Sequence, residues 1–289
     1  MIDLNLVRSL LFVPGNRPER FAKAAAGGAD GIIIDLEDAV GPPDKDVARA
    51  EVTAWLRTRH GVLRPGVLAC VRINSVFTEF GLKDMLALVE ATRAGHAPDV
   101  VVLPKVESAI EVQLAARHLK PASGAPPVLV ALIESGAGLK AAVEIARAAP
   151  TLGALAFGGA DLAADLRATL AWEPMLAHRS RLVQAAAMAG IGAIDVPWLD
   201  IADEAGLATE CARVRAMGFT GKLAIHPRQV EPVNTAFTPT AEEIEHARGV
   251  LAAFEAAAGG VCTYRGKMID EPVVAGARRT LARGTRAAH

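Results

Sequence analysis

Eight short apolar runs, with helix-forming sequence between them, constrain this chain more than any other feature of it. They are Ser9–Val13, Gly31–Asp35, Val67–Ile73, Val100–Leu103, Val128–Ile133, Leu152–Phe157, Gly192–Val196 and Lys222–Ile225. Segments of helical composition such as Arg17–Ala26, Lys45–Arg59, Leu82–Arg93, Ala109–Leu119, Leu139–Ala148, Met175–Ala189 and Ala202–Met217 separate them. A run as continuously apolar as Val128-Leu-Val-Ala-Leu-Ile133 suits a sheet covered on both faces, and alternation with helices implies parallel pairing. Eight such units favour closure into a TIM (β/α)8 barrel over a doubly wound open sheet, because no Gly-rich dinucleotide turn follows the first strand. The expected architecture is α/β: a barrel over residues 1–235 and a C-terminal helical extension over residues 236–289. No low-complexity linker separates the two, so the extension is read as an appendage carrying a loop up to Asp270, not as an independent domain.

Composition removes several function classes. A formal net charge of -1 leaves no global basic field to hold nucleic acid or an anionic membrane. Cys70, Cys211 and Cys262 lie far apart without a CxxC spacing, which argues against a disulfide framework or a zinc cage. Met1 to Pro14 lacks the basic start and long apolar stretch of a secretory signal, and no apolar stretch reaches membrane-spanning length. A cytoplasmic location is expected.

In a barrel of this kind the chemistry lies where strands exit at their C-terminal ends. Polar residues fall there in this sequence: Asp35-Leu-Glu-Asp38, Arg72, Lys105 and Glu107, Glu134, Asp161, Asp195 and His226. Glu134 closes an apolar run and Asp161 follows Phe157-Gly158-Gly159-Ala160, so two carboxylates emerge on adjacent strands. Their mutual repulsion needs a cation or a proton, and oxygen ligands without clustered Cys or His favour Mg²⁺ or Mn²⁺. The competing readings are an ion pair for Glu134 and a helix N-cap for Asp161. Arg72, in Leu68-Ala-Cys-Val-Arg-Ile-Asn74, must find an anion to be tolerated in an apolar strand. A substrate carboxylate, a developing enolate, or a buried pair with Glu37 or Asp38 would each serve. His226 reads as a hydrogen-bonded rim residue before it reads as a catalyst, and Asp195 is ambiguous.

The motifs Arg8-Ser-Leu-Leu-Phe-Val-Pro-Gly-Asn-Arg-Pro-Glu-Arg20, Asp35-Leu-Glu-Asp-Ala-Val40, Val71-Arg-Ile-Asn74, Leu103-Pro-Lys-Val-Glu107, Ile133-Glu-Ser135 and Ala224-Ile-His-Pro227 follow one another at successive strand ends. Together they resemble the citrate lyase beta subunit and malyl-CoA lyase family, nearly end to end. The resemblance implies a metal-dependent carbon–carbon lyase, a homotrimer or hexamer, that cleaves a malyl-, citramalyl- or citryl-type thioester into an acetyl thioester and a 2-oxo acid, or condenses them. It implies direct Mg²⁺ ligation by Glu134 and Asp161, contact from Glu37 and Asp38 through metal-bound water, and an Arg72 contact to the oxo acid or enolate. It also implies a catalytic carboxylate on the C-terminal tail serving a neighbouring subunit; Gly266-Lys-Met-Ile-Asp-Glu-Pro272 matches that pattern, which makes Asp270 the candidate. Arg17, Arg20 and Lys23 are candidates for CoA phosphates, against the plainer reading of a solvated helix face. The alternatives are a beta subunit acting on a citryl acyl-carrier protein beside citrate lyase alpha and carrier subunits, an acyl-CoA thioesterase or malate synthase-like activity, and an aldolase of free 2-oxo-3-deoxy acids.

Overall fold

The computed structural model of the protein describes residues 2–287, and the chain divides into two compact units that part between residues 234 and 235. Residues 288 and 289, at the end of the expected extension, lie outside the described residues. The first unit holds eight parallel strands that close on themselves: β1 (Ser9–Pro14), β2 (Gly31–Asp35), β3 (Leu68–Arg72), β4 (Val100–Leu103), β5 (Val128–Ile133), β6 (Leu152–Phe157), β7 (Gly192–Asp195) and β8 (Gly221–Ala224). β8 pairs back onto β1, so no sheet edge is left open. Around them run α1 (Phe21–Ala25), α2 (Lys45–Thr58), α3 (Glu79–Arg93), α4 (Ala109–His118), α5 (Gly136–Ala146), α6 (Gly159–Asp165), α7 (Trp172–Ala189), α8 (Glu204–Met217) and α9 (Val230–Phe237). The eight expected strands are all present. Helix starts moved most. α5 begins at Gly136 because Ser135 caps it, its hydroxyl accepting the Gly138 N–H at 3.1 Å. The first expected helix shrinks to α1 because Pro18–Arg20 forms a 3₁₀ turn ahead of it.

One buried cluster takes a side chain from every strand: Leu10, Ile33, Cys70, Val102, Leu132, Ala156, Ile194 and Leu223 all belong to it. These residues mark the barrel interior. Successive strand residues point to opposite faces, so Asp35, Arg72 and Glu134, each two positions beyond Ile33, Cys70 and Leu132, continue the interior face at its C-terminal mouth. Asp195 and Lys222 are one position off Ile194 and Leu223 and face the surrounding helices instead.

The second unit contains α10 (Ala241–Ala256), a hairpin of β9 (Cys262–Tyr264) and β10 (Lys267–Ile269), and α11 (Glu271–Ala287). It has its own apolar cluster of Ala247, Val250, Ile269, Val274 and Ala277. The segment expected as a loop is thus a hairpin. Its turn places Arg265 at φ 48° and Gly266 at φ 76°, the paired left-handed geometry that two-residue hairpins favour. Three-residue strands carry too little alternation to be seen in advance. Among the described residues, no helix is long and apolar enough to cross a membrane.

Candidate active site

Asp35 and Arg72 are register partners across β2 and β3, which fixes their side chains together at the barrel mouth. The Asp35 carboxylate accepts Arg72 Nε and Nη2, each at 2.7 Å, in a two-pronged pair. It also accepts the backbone N–H groups of Glu37 at 2.9 Å and Ala39 at 3.0 Å, so one buried carboxylate holds both the arginine and the loop after β2. The Arg72 guanidinium lies over the Phe12 ring, 4.7 Å from its centroid. Burial opposes its charge, but Asp35, Glu37 and Glu134 outweigh burial and raise its pKa further. Sequence reasoning offered Glu37 or Asp38 as the partner; the principal one is Asp35, with Glu37 second. The signal was present in Asp35 itself, two residues beyond an interior Ile.

Glu37 is buried, and its loop is pinned from below. The Lys45 ammonium donates to the carbonyls of Leu36 and Glu37 at 2.8 and 2.9 Å, and Asn74 Nδ2 donates to that of Leu36 at 2.9 Å. Glu37 Oε1 pairs with Lys105 Nζ. Its Oε2 sits 2.8 Å from Arg72 Nη1, yet no hydrogen bond is made to that buried oxygen. Asp38 is exposed, 3.5 Å from Lys105 Nζ.

Glu134 follows β5 and is 6% exposed. Its Oε2 accepts the backbone N–H of Lys105 at 2.7 Å. Burial first, then the charges of Glu37 and Asp161, push its carboxyl up to about 7, against the pull of Arg72 and the Lys105 N–H. Gly158, at the exit of β6, makes room for it: a Cβ there would stand 2.2 Å from Glu134 Cγ and 2.9 Å from Oε1. Asp161 lies in the first turn of α6, exposed to solvent and near enough for its charge to act on Glu134. A buried carboxylate, a second one beside it and a Glu37 oxygen that accepts no hydrogen bond form an oxygen-only acidic site, which suits a hard divalent cation. Among the described residues, no three His, Cys, Asp or Glu groups form a complete cage. Water or substrate oxygens are needed to complete octahedral ligation, the habit of Mg²⁺.

Asp195 accepts Arg179 Nε at 2.9 Å and Lys222 Nζ at 2.6 Å, with Glu210 closing a buried four-residue ion cluster between β7, β8, α7 and α8. It faces away from the mouth. His226 is a cap: its Nδ1 accepts the Arg228 N–H at 3.2 Å. Arg17, Arg20 and Lys23 are exposed, and Arg20 has Glu19 at 3.8 Å. Asp270 belongs to the second unit, where its Oδ1 accepts the Val273 N–H at 3.4 Å at the start of α11. Lys105, which touches Glu37, Asp38 and Glu134, received no role from sequence reasoning.

The family model described as HpcH/HpaI aldolase/citrate lyase matches residues 8–227, and one described as C-C_Bond_Lyase of the TIM-Barrel fold matches residues 171–286. The citrate lyase subunit beta of Escherichia coli (strain K12) is 38% identical over 287 residues, covering 96% of this chain and 92% of that protein. The L-malyl-CoA/beta-methylmalyl-CoA lyase of Cereibacter sphaeroides (strain ATCC 17025 / ATH 2.4.3) is 34% identical over 290 residues, 91% of this chain and 90% of its own. A crystal structure of CitE from Mycobacterium tuberculosis, in complex with magnesium, acetoacetate and coenzyme A, superposes with a TM-score of 0.77 at 36% identity, covering 97% of this chain and 99% of that one.

Proposed function

From the premise that the chain belongs to the HpcH/HpaI aldolase/citrate lyase family, we propose that Glu134 and Asp161 hold the Mg²⁺ of its lyase site, with Glu37 and Asp38 acting through bound water. The enzyme is a Mg²⁺-dependent carbon–carbon lyase that cleaves a 3-hydroxyacyl thioester to an acetyl thioester and a 2-oxo acid, or joins them. The observation that carries the ligand assignment is Glu134: a buried carboxylate with Asp161 and Glu37 crowding its charge and Gly158 giving it space. A divalent ion there supplies Lewis-acid polarisation of the oxo acid's oxygens.

The chain's own groups divide the remaining work. In cleavage, the 3-hydroxyl loses its proton, the carbon–carbon bond breaks toward the thioester, and the resulting enolate of the acetyl thioester takes a proton at carbon. Arg72, oriented by Asp35, offers a fixed positive charge to the oxo acid or the enolate oxygen. Asp270 is the proposed acid–base group, provided from the extension of one copy to the barrel of another. Residues 236–289 then act as an appendage of the barrel of residues 1–235, in a homotrimer or hexamer. Arg17, Arg20 and Lys23 are the proposed contacts to CoA phosphates. A carrier protein bearing the thioester, with citrate lyase alpha as a further partner, is the alternative for the acyl carrier.

The test is purified protein with Mg²⁺ or EDTA against malyl-, citramalyl- and citryl-CoA, following acetyl-CoA and free CoA separately. Metal-dependent acetyl-CoA release, abolished in Glu134→Gln and Asp161→Asn proteins that melt as the wild type does, is the expected result. Retention of Mg²⁺ affinity in both variants would remove the two residues from the metal site, and free CoA without acetyl-CoA would mean thioester hydrolysis.

A further inference from the structure

Lys105 makes direct contacts with both acidic halves of the mouth. It follows β4 at φ 53°, a left-handed conformation that a glycine adopts at lower cost. From there its backbone N–H meets Glu134 Oε2 at 2.7 Å, while its ammonium reaches Glu37 Oε1 and lies 3.5 Å from Asp38 Oδ1. The backbone contact alone needs no side chain, so a lysine at a position that favours glycine calls for a use of the ammonium.

The state of Arg72 supplies that use. Its Nε and Nη2 are committed to Asp35 and its Nη1 is aimed at Glu37, in a side chain 11% exposed. Two buried carboxylates thus fix Arg72 in place and share the charge it offers. The Lys105 side chain is 44% exposed. An ammonium carries three N–H donors, and its two carboxylate contacts, one of them long, leave room for a third acceptor. With Glu37 and Asp38 beside it and water at its open side, the ammonium is a cation at neutral pH.

We infer that Lys105 is a substrate-binding residue of this lyase, whose ammonium receives the carboxylate of the 2-oxo acid at the rim of the acidic site. This rests on the reading of Glu134 and Asp161 as the metal pair, since it puts the carboxylate between Lys105 and that pair. Held by Glu37 and Asp38, the ammonium is pre-oriented, and a carboxylate approaching it gains a charge-assisted hydrogen bond without first ordering a free lysine.

Binding of glyoxylate, pyruvate and oxaloacetate by calorimetry in saturating Mg²⁺, on the whole chain, tests this alongside acetyl-CoA and Mg²⁺ alone. In Lys105→Met, the dissociation constant of the oxo acid that binds wild type most tightly should rise roughly 10- to 100-fold, the worth of one charged hydrogen bond. Acetyl-CoA should stay within about twofold, and Mg²⁺ should bind as well or better because a nearby positive charge is gone. Lys105→Gly, which keeps the N–H to Glu134 and suits the left-handed backbone, should behave as Lys105→Met does; Lys105→Arg should recover most of the oxo-acid affinity. A lysine that merely holds Glu37 and Glu134 in place would instead weaken Mg²⁺ and leave the oxo acid unchanged, and that result overturns the inference. So would a loss confined to acetyl-CoA, which would assign the ammonium to a CoA phosphate, or a wild type that binds none of the three acids. Failure of the metal reading is seen separately, as unaltered Mg²⁺ affinity in Glu134→Gln.

Discussion

Replacing Gly158 by Ala should disable the metal site without removing any ligand. The glycine's φ is negative (−86°), so an alanine introduces no left-handed strain; the difficulty is space. Its Cβ would lie 2.2 Å from Glu134 Cγ, 3.0 Å from Cδ and 2.9 Å from Oε1. Ordinary carbon–carbon contact begins near 3.5 Å, so the Glu134 stem must retreat by more than about 1 Å. Mg²⁺ holds its oxygens at about 2.0–2.1 Å in near-ideal octahedral geometry and tolerates no such shift. Retreat also disturbs the 2.7 Å bond from Lys105 N–H. Mg²⁺ affinity is expected to fall about 10- to 100-fold, the range seen when support of a metal ligand is lost. With saturating Mg²⁺, kcat/KM should remain about 100-fold low, as expected for a displacement near 1 Å in a reacting site. Calorimetric titration of Mg²⁺, the coupled acetyl-CoA assay and thermal melting in EDTA measure the three quantities. In a Glu134→Ala background, Gly158→Ala should add almost nothing, because the clash it causes has been removed. A Gly158→Ala protein with wild-type Mg²⁺ affinity and turnover would refute the reasoning, and one that melts far below wild type in EDTA would move the effect to folding.

Three further outcomes are expected. Asp195→Asn should cost about 3–5 kcal/mol in urea unfolding, since it leaves the fully buried Lys222 and Arg179 short of counter-charge, while Mg²⁺ affinity stays as in wild type; weakened Mg²⁺ with unchanged stability would place Asp195 in the site. Metal-free protein should lose stability as pH rises from about 4.5 to about 7. The folded state holds the Glu134 proton more tightly than the unfolded chain does, so the slope is negative across that window and amounts to about 3 kcal/mol at most. Urea midpoints in EDTA at pH 5 and pH 8 should differ less in Glu134→Gln; an identical pH dependence in the variant would remove Glu134 as its source. Mixing inactive Asp270→Asn and Glu134→Gln subunits should restore part of the activity, and verified mixed oligomers without recovery would rule out donation between chains.

The barrel was legible in the sequence because a strand buried on both faces has to be apolar along most of its length, and eight such strands left eight short apolar runs. The hairpin Cys262–Ile269 could not be read for the opposite reason. Its strands are three residues long and mostly solvent-facing, so neither alternation nor continuous burial is imposed on them, and only the Arg265-Gly266 turn marks the place. Helix starts shifted where a cap outranked composition, as at Ser135.

The site was legible where side-chain period and strand end coincide. Asp35, Arg72 and Glu134 all continue the interior face past the last apolar residue, and counting in twos from Ile33, Cys70 and Leu132 finds them. The same count separates Asp195 from the group, since it falls on the helix-facing side, so its ambiguity in the sequence was resolvable by register alone. Lys105 stands at a strand end in the sequence, yet its role was not legible there because nothing periodic governs it. It lies beyond β4, past Pro104, and reaches the site through a left-handed φ that a pattern of side-chain directions cannot express for a non-glycine residue. Its two contacts join Glu37 after β2 to Glu134 after β5, strands separated by two others in the barrel. A pairing of that kind exists only once the sheet has curved round, which puts it in the closure of the barrel and outside any local stretch of sequence.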